Sequence, residues 1–229
     1  MTGIAFVIFV KTPDLSPIKT RLAKVIGKES AELFYLKSLE ATAEVVTKVC
    51  KLNSEVKPYW AVAESLGLDN RLWNQFETIY QGEGSLGERL HHVYHQLIQN
   101  YSIVCFIGAD SPHVYYQDYL DAIKIFKNNS CGFVLGNTLD GGFYFFAGKN
   151  PISKSVWTSV AYSTDQTSKQ LSLELNKIAK IETVKTNFDI DELSDLLRYH
   201  DLLLDDDNLL EHQKELINWV NSLHVTHQT

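Results

Sequence analysis

The segment Ile103–Pro112, IVCFIGADSP, constrains the fold more than any other stretch of this chain. An apolar run stops at Gly108 and delivers Asp110 just before Ser111-Pro112. A run without polar alternation reads as a strand buried on both faces, so layers must cover the sheet above and below. In open sheets of this kind, ligands bind where the strands end. Thirty residues later LGNTLDGGFYFF places Asp140 before Gly141-Gly142 and an aromatic strand. Together the two segments describe a hydrophobic sheet that presents carboxylates and open backbone along one edge.

The rest of the chain alternates in the same way. Ile4–Lys11 is a further apolar run, followed by a Pro-containing loop at Thr12–Pro17 and a helical pattern from about Ser30 to Cys50. Strands are expected at Lys57–Ala63 and Glu77–Gln81, and SLGE (Ser85–Glu88) reads as a capping box opening a helix to about Gln99. A helix near Gln117–Lys127, strands at Gly132–Leu135 and Phe143–Gly148, and a helix from near Thr164 follow. A strand near Glu182–Phe188 then precedes helices around Glu192–Leu203 and Leu209–Leu223. Alternation of this kind implies an α/β/α arrangement on a mostly parallel, doubly wound sheet. No linker, repeat or low-complexity tract interrupts it, so one domain over residues 1–229 is expected.

Composition narrows the function classes. The net charge of −7 is unevenly placed: residues 1–60 hold nine Lys/Arg against six Asp/Glu, and residues 182–215 hold three against eleven. A general nucleic-acid binder needs an extended basic face, which this distribution excludes. The early cluster of Lys11, Lys19 and Arg21 suits a compact anionic ligand instead. Cys50, Cys105 and Cys131 are odd in number and widely spaced, as in reduced thiols of a cytoplasmic protein. The first apolar run lacks the flanks of a secretory signal, and no segment approaches a membrane span.

Each site candidate has a plainer alternative. Asp110, at a strand end, suits Mg²⁺ or Mn²⁺ neutralising a diphosphate, or it caps a turn before Ser111-Pro112. Asp140 with Gly141-Gly142 is either a tight hairpin turn or a place where a ligand approaches the backbone closely. Asp189 and Asp191 end the last expected strand. Asp189 is the better second metal ligand, because Asp191 is placed to cap the helix beginning at Glu192. Two other patterns carry less. GEGSLG (Gly82–Gly87) is a literal dinucleotide fingerprint with Asp110 23 residues on, but Glu83 would sit beside the pyrophosphate. His91 and His95 have zinc-ligand spacing on one helix face, with no evident third ligand.

In order, FVKTPDLSPIKTRL (9–22), QGEGSLGERL (81–90), GADSP (108–112), DGGFY (140–144), YST (162–164) and DIDELSDL (189–196) resemble a bacterial family catalogued as DUF2064. That family is similar to the nucleotidyltransferases that handle molybdopterin and 2-phospholactate. The resemblance covers about residues 4–197 and leaves a helical C-terminal extension, 205–229, outside it. It implies the nucleotide-diphospho-sugar transferase (GT-A) fold and a metal-dependent transferase using an activated nucleotide, with Asp110, Asp189 and Asp191 around Mg²⁺ or Mn²⁺. Lys11, Lys19 and Arg21 would contact phosphate, and Gln81, Gly84, Ser85 and Leu86 would lie against base or ribose. Gly141 and Gly142 would also bind the nucleotide or its phosphates beside the entering acceptor, with Asp110 and Asp140 as the catalytic pair and Asp140 as the acceptor's base or orienting group.

Two departures bear on the chemistry. The Pro-Gly of the family's first loop is Leu15-Ser16 here, and Pro17 lacks a backbone N–H. The Trp of its WST segment is Tyr162. A loop poor in glycine is less suited to wrapping a triphosphate. The expectation is therefore glycosyl transfer from a nucleotide-diphospho-sugar to a small acceptor. Nucleotidyl transfer with pyrophosphate release is the first alternative, and nucleotide binding without turnover the second.

Overall fold

The computed structural model describes residues 2–128 and 130–223. The apolar runs become the inner strands of a seven-stranded sheet. Its members are β1 (Ile4–Val10), β2 (Val56–Val62), β3 (Glu77–Tyr80), β4 (Ile103–Gly108), β5 (Phe133–Asn137), β6 (Phe143–Gly148) and β7 (Ile181–Thr183), in the order β3-β2-β1-β4-β6-β5-β7. The helices are α1 (Thr20–Ile26), α2 (Lys28–Leu52), α3 (Leu86–Ile98), α4 (Tyr116–Asn128), α5 (Lys154–Thr158), α6 (Thr167–Asn176), α7 (Leu193–Leu203) and α8 (Glu211–Asn221). Among the described residues, no helix is long and apolar enough to cross a membrane.

Neighbouring strands run parallel except at β6, which is antiparallel to both β4 and β5. The reason is local. Only residues 138–142 separate β5 from β6, too few for a crossover and enough for a hairpin. Gly141 has a φ of 89°, which closes that turn. As a result, the beginning of β6 lies on the same sheet edge as the ends of β1 and β4.

Alternate residues of each strand feed separate cores. Phe6, Ile8, Trp60 and Phe145 pack under α2 and α4 with Val46, Val49 and Tyr119. Val7, Phe106, Phe133 and Phe146 pack against the other layer with Val93, Tyr94, Trp157 and Leu171. A third cluster joins Leu22 and Phe34 to Phe188, Ile190, Tyr199, Leu216 and Val220, and so fixes α7 and α8 beside α1 and α2.

Several expected boundaries moved for identifiable reasons. The loop after β1 is followed by α1, a helix the sequence pattern did not indicate, with Gly27 (φ 86°) separating it from α2. The short helix α5 was likewise not expected. The helix expected from near Thr164 starts at Thr167, because the Thr167 hydroxyl donates to Ala161 and Thr164 carbonyls and holds a turn first. β7 is shorter than the expected Glu182–Phe188. β5 pairs with β7 only from Phe133 to Leu135, after which a lone bridge, Thr138 to Asn187, continues the pairing.

That bridge helps tie two site segments together. The Asn187 carboxamide oxygen bonds the His113 ring Nε2, and His113 stacks on Phe188 at 4.1 Å. Burial holds the His113 pKa down to about 4, against a weaker upward pull from Asn187, with Lys185 adding to the depression. The folded chain therefore refuses a proton that the unfolded chain accepts below pH ~6.5. Stability is at its full value above that pH and falls as pH drops toward 4, by up to about 3 kcal/mol from this group. Urea midpoints at pH 7 and pH 5 test this. His113→Gln should flatten the difference, and an unchanged pH slope would show that His113 does not cause it.

Candidate active site

The edge where β1 and β4 end is also the point at which strand order diverges, β1 leading to β2 on one side and β4 lying on the other. A crevice of two adjoining lobes opens there, with volumes of about 460 and 500 Å³. Phe9, Arg21, Leu86, Gly108, Asp110, Ser163 and Asp191 line both. Lys11, Pro17, Lys19, Tyr35 and Gln81 belong to the first lobe, and Asp140, Gly142, Phe143, Tyr162, Asp165 and Asp189 to the second.

Lys19 organises the centre. Its backbone is left-handed (φ 42°), which turns its side chain inward, and that side chain is only 4% exposed. The ammonium lies 2.5 Å from Asp110 and 2.9 Å from Asp191, and donates to the Ile190 carbonyl at 2.7 Å. Burial opposes its charge, but Asp110 and Asp191 outweigh that and raise its pKa. Arg21 forms a second bridge, 2.8 Å to Asp191 and 2.9 Å to Glu192. Burial pushes the Asp191 carboxyl up, and Lys19 and Arg21 overcome it to leave a lowered pKa. Asp191 does not cap α7. Asp195 reaches back to the Asp191 and Glu192 N–H groups instead.

Asp189 lies behind this pair. The Ser111 hydroxyl donates to it at 2.5 Å and also approaches the Phe188 carbonyl at 3.0 Å. The Ile190 N–H donates to the Asp110 carbonyl, so the two carboxylate segments are stitched main chain to main chain. Burial, with Asp110 next, raises the Asp189 pKa to about 7. Asp110, Asp189 and Asp191 supply hard oxygen donors, the chemistry that suits Mg²⁺ or Mn²⁺, and Lys19 shows that a cation is accommodated between two of them. Among the described residues, the only His/Cys/Asp/Glu trio with donor atoms all within 4.8 Å is Glu40, His212 and Glu215, on α2 and α8. The three crevice carboxylates are thus gathered less tightly than a closed metal site.

The remaining candidates divide. Asp140 faces the second lobe and also closes its own turn, its Oδ1 accepting from Thr138 at 2.5 Å and from the Gly142 N–H at 3.1 Å. At Gly141 the closely approaching partner is protein: a Cβ there would meet the Asp165 carbonyl at 2.1 Å. Gln81 commits its side-chain nitrogen to the Val10 and Ala61 carbonyls. Ser85 caps α3 in the expected box with Glu88, and Gly84 (φ 94°) gives that carboxylate room. Lys11 lines the first lobe, its backbone N–H and carbonyl both bonded to the Tyr35 hydroxyl. The His91 and His95 rings stack on each other at 5.5 Å, with burial and then His95 lowering the His91 pKa. GEGSLG follows β3, the edge strand, and not the central strand that carries a dinucleotide fingerprint, although its Leu86 reaches the crevice.

The sequence alone did not single out Phe9, Tyr35, Ser163 or Asp165. The YST segment marked the neighbourhood, but nothing in it shows that Ser163 is left-handed (φ 59°) at the junction of the lobes.

The family model described as "Uncharacterized protein conserved in bacteria (DUF2064)" matches residues 37–164. The chain belongs to that family. The matched span contains Asp110 and Asp140, while Lys11–Arg21 and Asp189–Asp191 lie outside it. No curated protein matches the chain. Among solved structures, a protein described as a nucleotide-diphospho-sugar transferase from Desulfovibrio desulfuricans G20 superimposes with a TM-score of 0.84 at 18% identity, covering 97% of each chain. Of the expected helical extension 205–229, the structure describes α8 (Glu211–Asn221), and residues 224–229 lie outside the described residues. A 4-diphosphocytidyl-2C-methyl-D-erythritol synthase from Anaerococcus prevotii DSM 20548 gives a TM-score of 0.56 at 12% identity over 85% of this chain and 94% of its own. Glucosyl-3-phosphoglycerate synthase from Mycobacterium tuberculosis, in complex with Mn²⁺ and UDP, gives 0.50 at 10% over 86% and 75%. These likenesses establish the nucleotide-diphospho-sugar transferase fold with its mixed, mainly parallel sheet.

Proposed function

We propose that the crevice binds a nucleotide-diphospho-sugar with Mg²⁺ or Mn²⁺ and transfers the sugar to a small acceptor. The observation that carries this over nucleotidyl transfer is the first loop. The Leu15 and Ser16 N–H groups both turn back to the Thr12 carbonyl, and Pro17 has none. A triphosphate wrapped by backbone donors finds few there, whereas a diphosphate can be held by the side chains of Lys11, Lys19 and Arg21. A divalent ion held by Asp110, Asp189 and Asp191 supplies charge neutralisation of the departing diphosphate. In the transfer, the bond from the sugar's C1 to the diphosphate oxygen breaks with its electron pair leaving on that oxygen. The acceptor oxygen bonds C1, and its proton passes to Asp140. Both described bonds to Asp140 fall on Oδ1, which leaves Oδ2 as the basic atom.

Incubation with matched panels of NTPs and nucleotide sugars, read by mass spectrometry, tests the proposal. Sugar nucleotides should be consumed and NTPs should yield no pyrophosphate, whereas pyrophosphate release would establish the nucleotidyltransferase alternative. Binding without turnover is favoured by one observation, the bonds with which Asp140 closes its own turn. Tight nucleotide binding with no consumption anywhere in the panel would establish it.

A further inference from the structure

The two lobes have opposite chemistry, and the second points to the class of acceptor. We propose that this lobe takes a hydroxyl-bearing organic cation, an amine or quaternary ammonium compound. The assignment of acceptor rests on the transfer reaction proposed above; the recognition of a cation rests on the lobe alone.

The walls are aromatic. Phe9, Phe143 and Tyr162, all partly exposed, line the cavity together with Leu86 and Leu90, and the core residues Phe106 and Tyr144 complete its lining. Their polar atoms are directed away. The Tyr144 hydroxyl donates to the Lys185 carbonyl at 3.0 Å and that of Tyr162 to the Trp157 carbonyl at 3.0 Å, so neither hydroxyl is left to donate to a ligand. The Thr164 and Thr167 hydroxyls donate to the Ala161 carbonyl, and the Gly142 N–H donates to Asp140. An anionic or phosphorylated acceptor needs donors, and those of Tyr144, Tyr162, Thr164, Thr167 and the Gly142 N–H are already engaged by the protein.

Acceptor atoms, in contrast, are abundant. Five carboxylates line the lobe (Asp110, Asp140, Asp165, Asp189 and Asp191) against one guanidinium, that of Arg21, which is already bridged to Asp191 and Glu192. If cations occupy the Asp110, Asp189 and Asp191 group, Asp140 and Asp165 still face the cavity. Aromatic faces and unneutralised carboxylates in one cavity favour a cation through ring quadrupoles and Coulomb attraction, and they repel a phosphate.

Choline, its uncharged isostere 3,3-dimethylbutan-1-ol and glycerol 3-phosphate separate the possibilities. Each is titrated by NMR into the full chain with Mn²⁺ present. Choline should bind at least about fivefold more tightly than the isostere, the size expected of a partly desolvated cation over aromatic rings. Glycerol 3-phosphate should bind more weakly than either. Asp165→Asn should narrow the choline preference while leaving affinity for the isostere unchanged. Equal or reversed preference, tighter binding of the phosphate, or no saturable choline binding would overturn the proposal. Calorimetry of UDP with Mn²⁺ on the same samples reports separately on the nucleotide lobe. Its failure would count against the transferase reading and leave cation recognition standing.

Discussion

Asp110→Ala should lower the affinity for UDP plus Mn²⁺ by at least about 100-fold, beyond the range seen when only a supporting partner of a metal ligand is lost. Asp110 stands where the central strand β4 ends, its carboxylate is 45% exposed, and it borders both lobes. The same substitution also removes a 2.5 Å partner of Lys19. Calorimetry should therefore be paired with thermal denaturation. Asp191 and the Ile190 carbonyl still hold the ammonium, so the melting temperature should change little beside the loss of binding. Wild-type affinity in the variant would remove Asp110 from the site.

Lys19→Met should produce the second large effect, with opposite signs for two ligands. In the free chain the ammonium neutralises Asp110 and Asp191, the carboxylates assigned to the metal. A divalent ion must compete with it, so removing the charge should tighten binding of Mn²⁺ alone by roughly tenfold. Binding of UDP in the presence of Mn²⁺ should weaken by about tenfold or more, because a cation available to the diphosphate has gone. Mn²⁺ binding is read by the loss of its free EPR signal, and UDP binding by calorimetry. If Mn²⁺ alone binds Lys19→Met no better than wild type, Lys19 is not competing for that seat. Lys19 is only 4% exposed, so the substitution also removes a buried partner from Asp110 and Asp191, and thermal denaturation should accompany the titrations.

The sheet was legible because its signals are one-dimensional. Ile4–Val10, Ile103–Gly108 and Phe143–Gly148 are apolar runs ended by a lysine or a glycine, and each became a strand within a residue of its expected limits. The capping box at Ser85 worked for the same reason, since its partners are three residues apart and need no tertiary help. Carboxylates at strand ends could be found by the same logic, and the structure places Asp110, Asp140, Asp189 and Asp191 around one cavity. Lys19 illustrates where this stops. Its spacing after β1 indicated a cation near phosphate, but its partners lie 91 and 172 positions away (Asp110 and Asp191), and its inward turn depends on a left-handed backbone. Asp165 was missed because its placement depends on the backbone of Gly141, a contact made only after the hairpin docks.

The buried Gln213 on α8 donates from its side-chain nitrogen to the Pro112 carbonyl at 2.8 Å and takes the Leu210 N–H on its oxygen at 3.1 Å. The loop carrying Asp110 and Ser111 is therefore underpinned by a helix near the end of the chain, a hundred residues downstream of it. Lining residues and supporting residues are thus distributed differently along the sequence. A chain cut after α7 would keep every side chain of the crevice and still lose the floor beneath it.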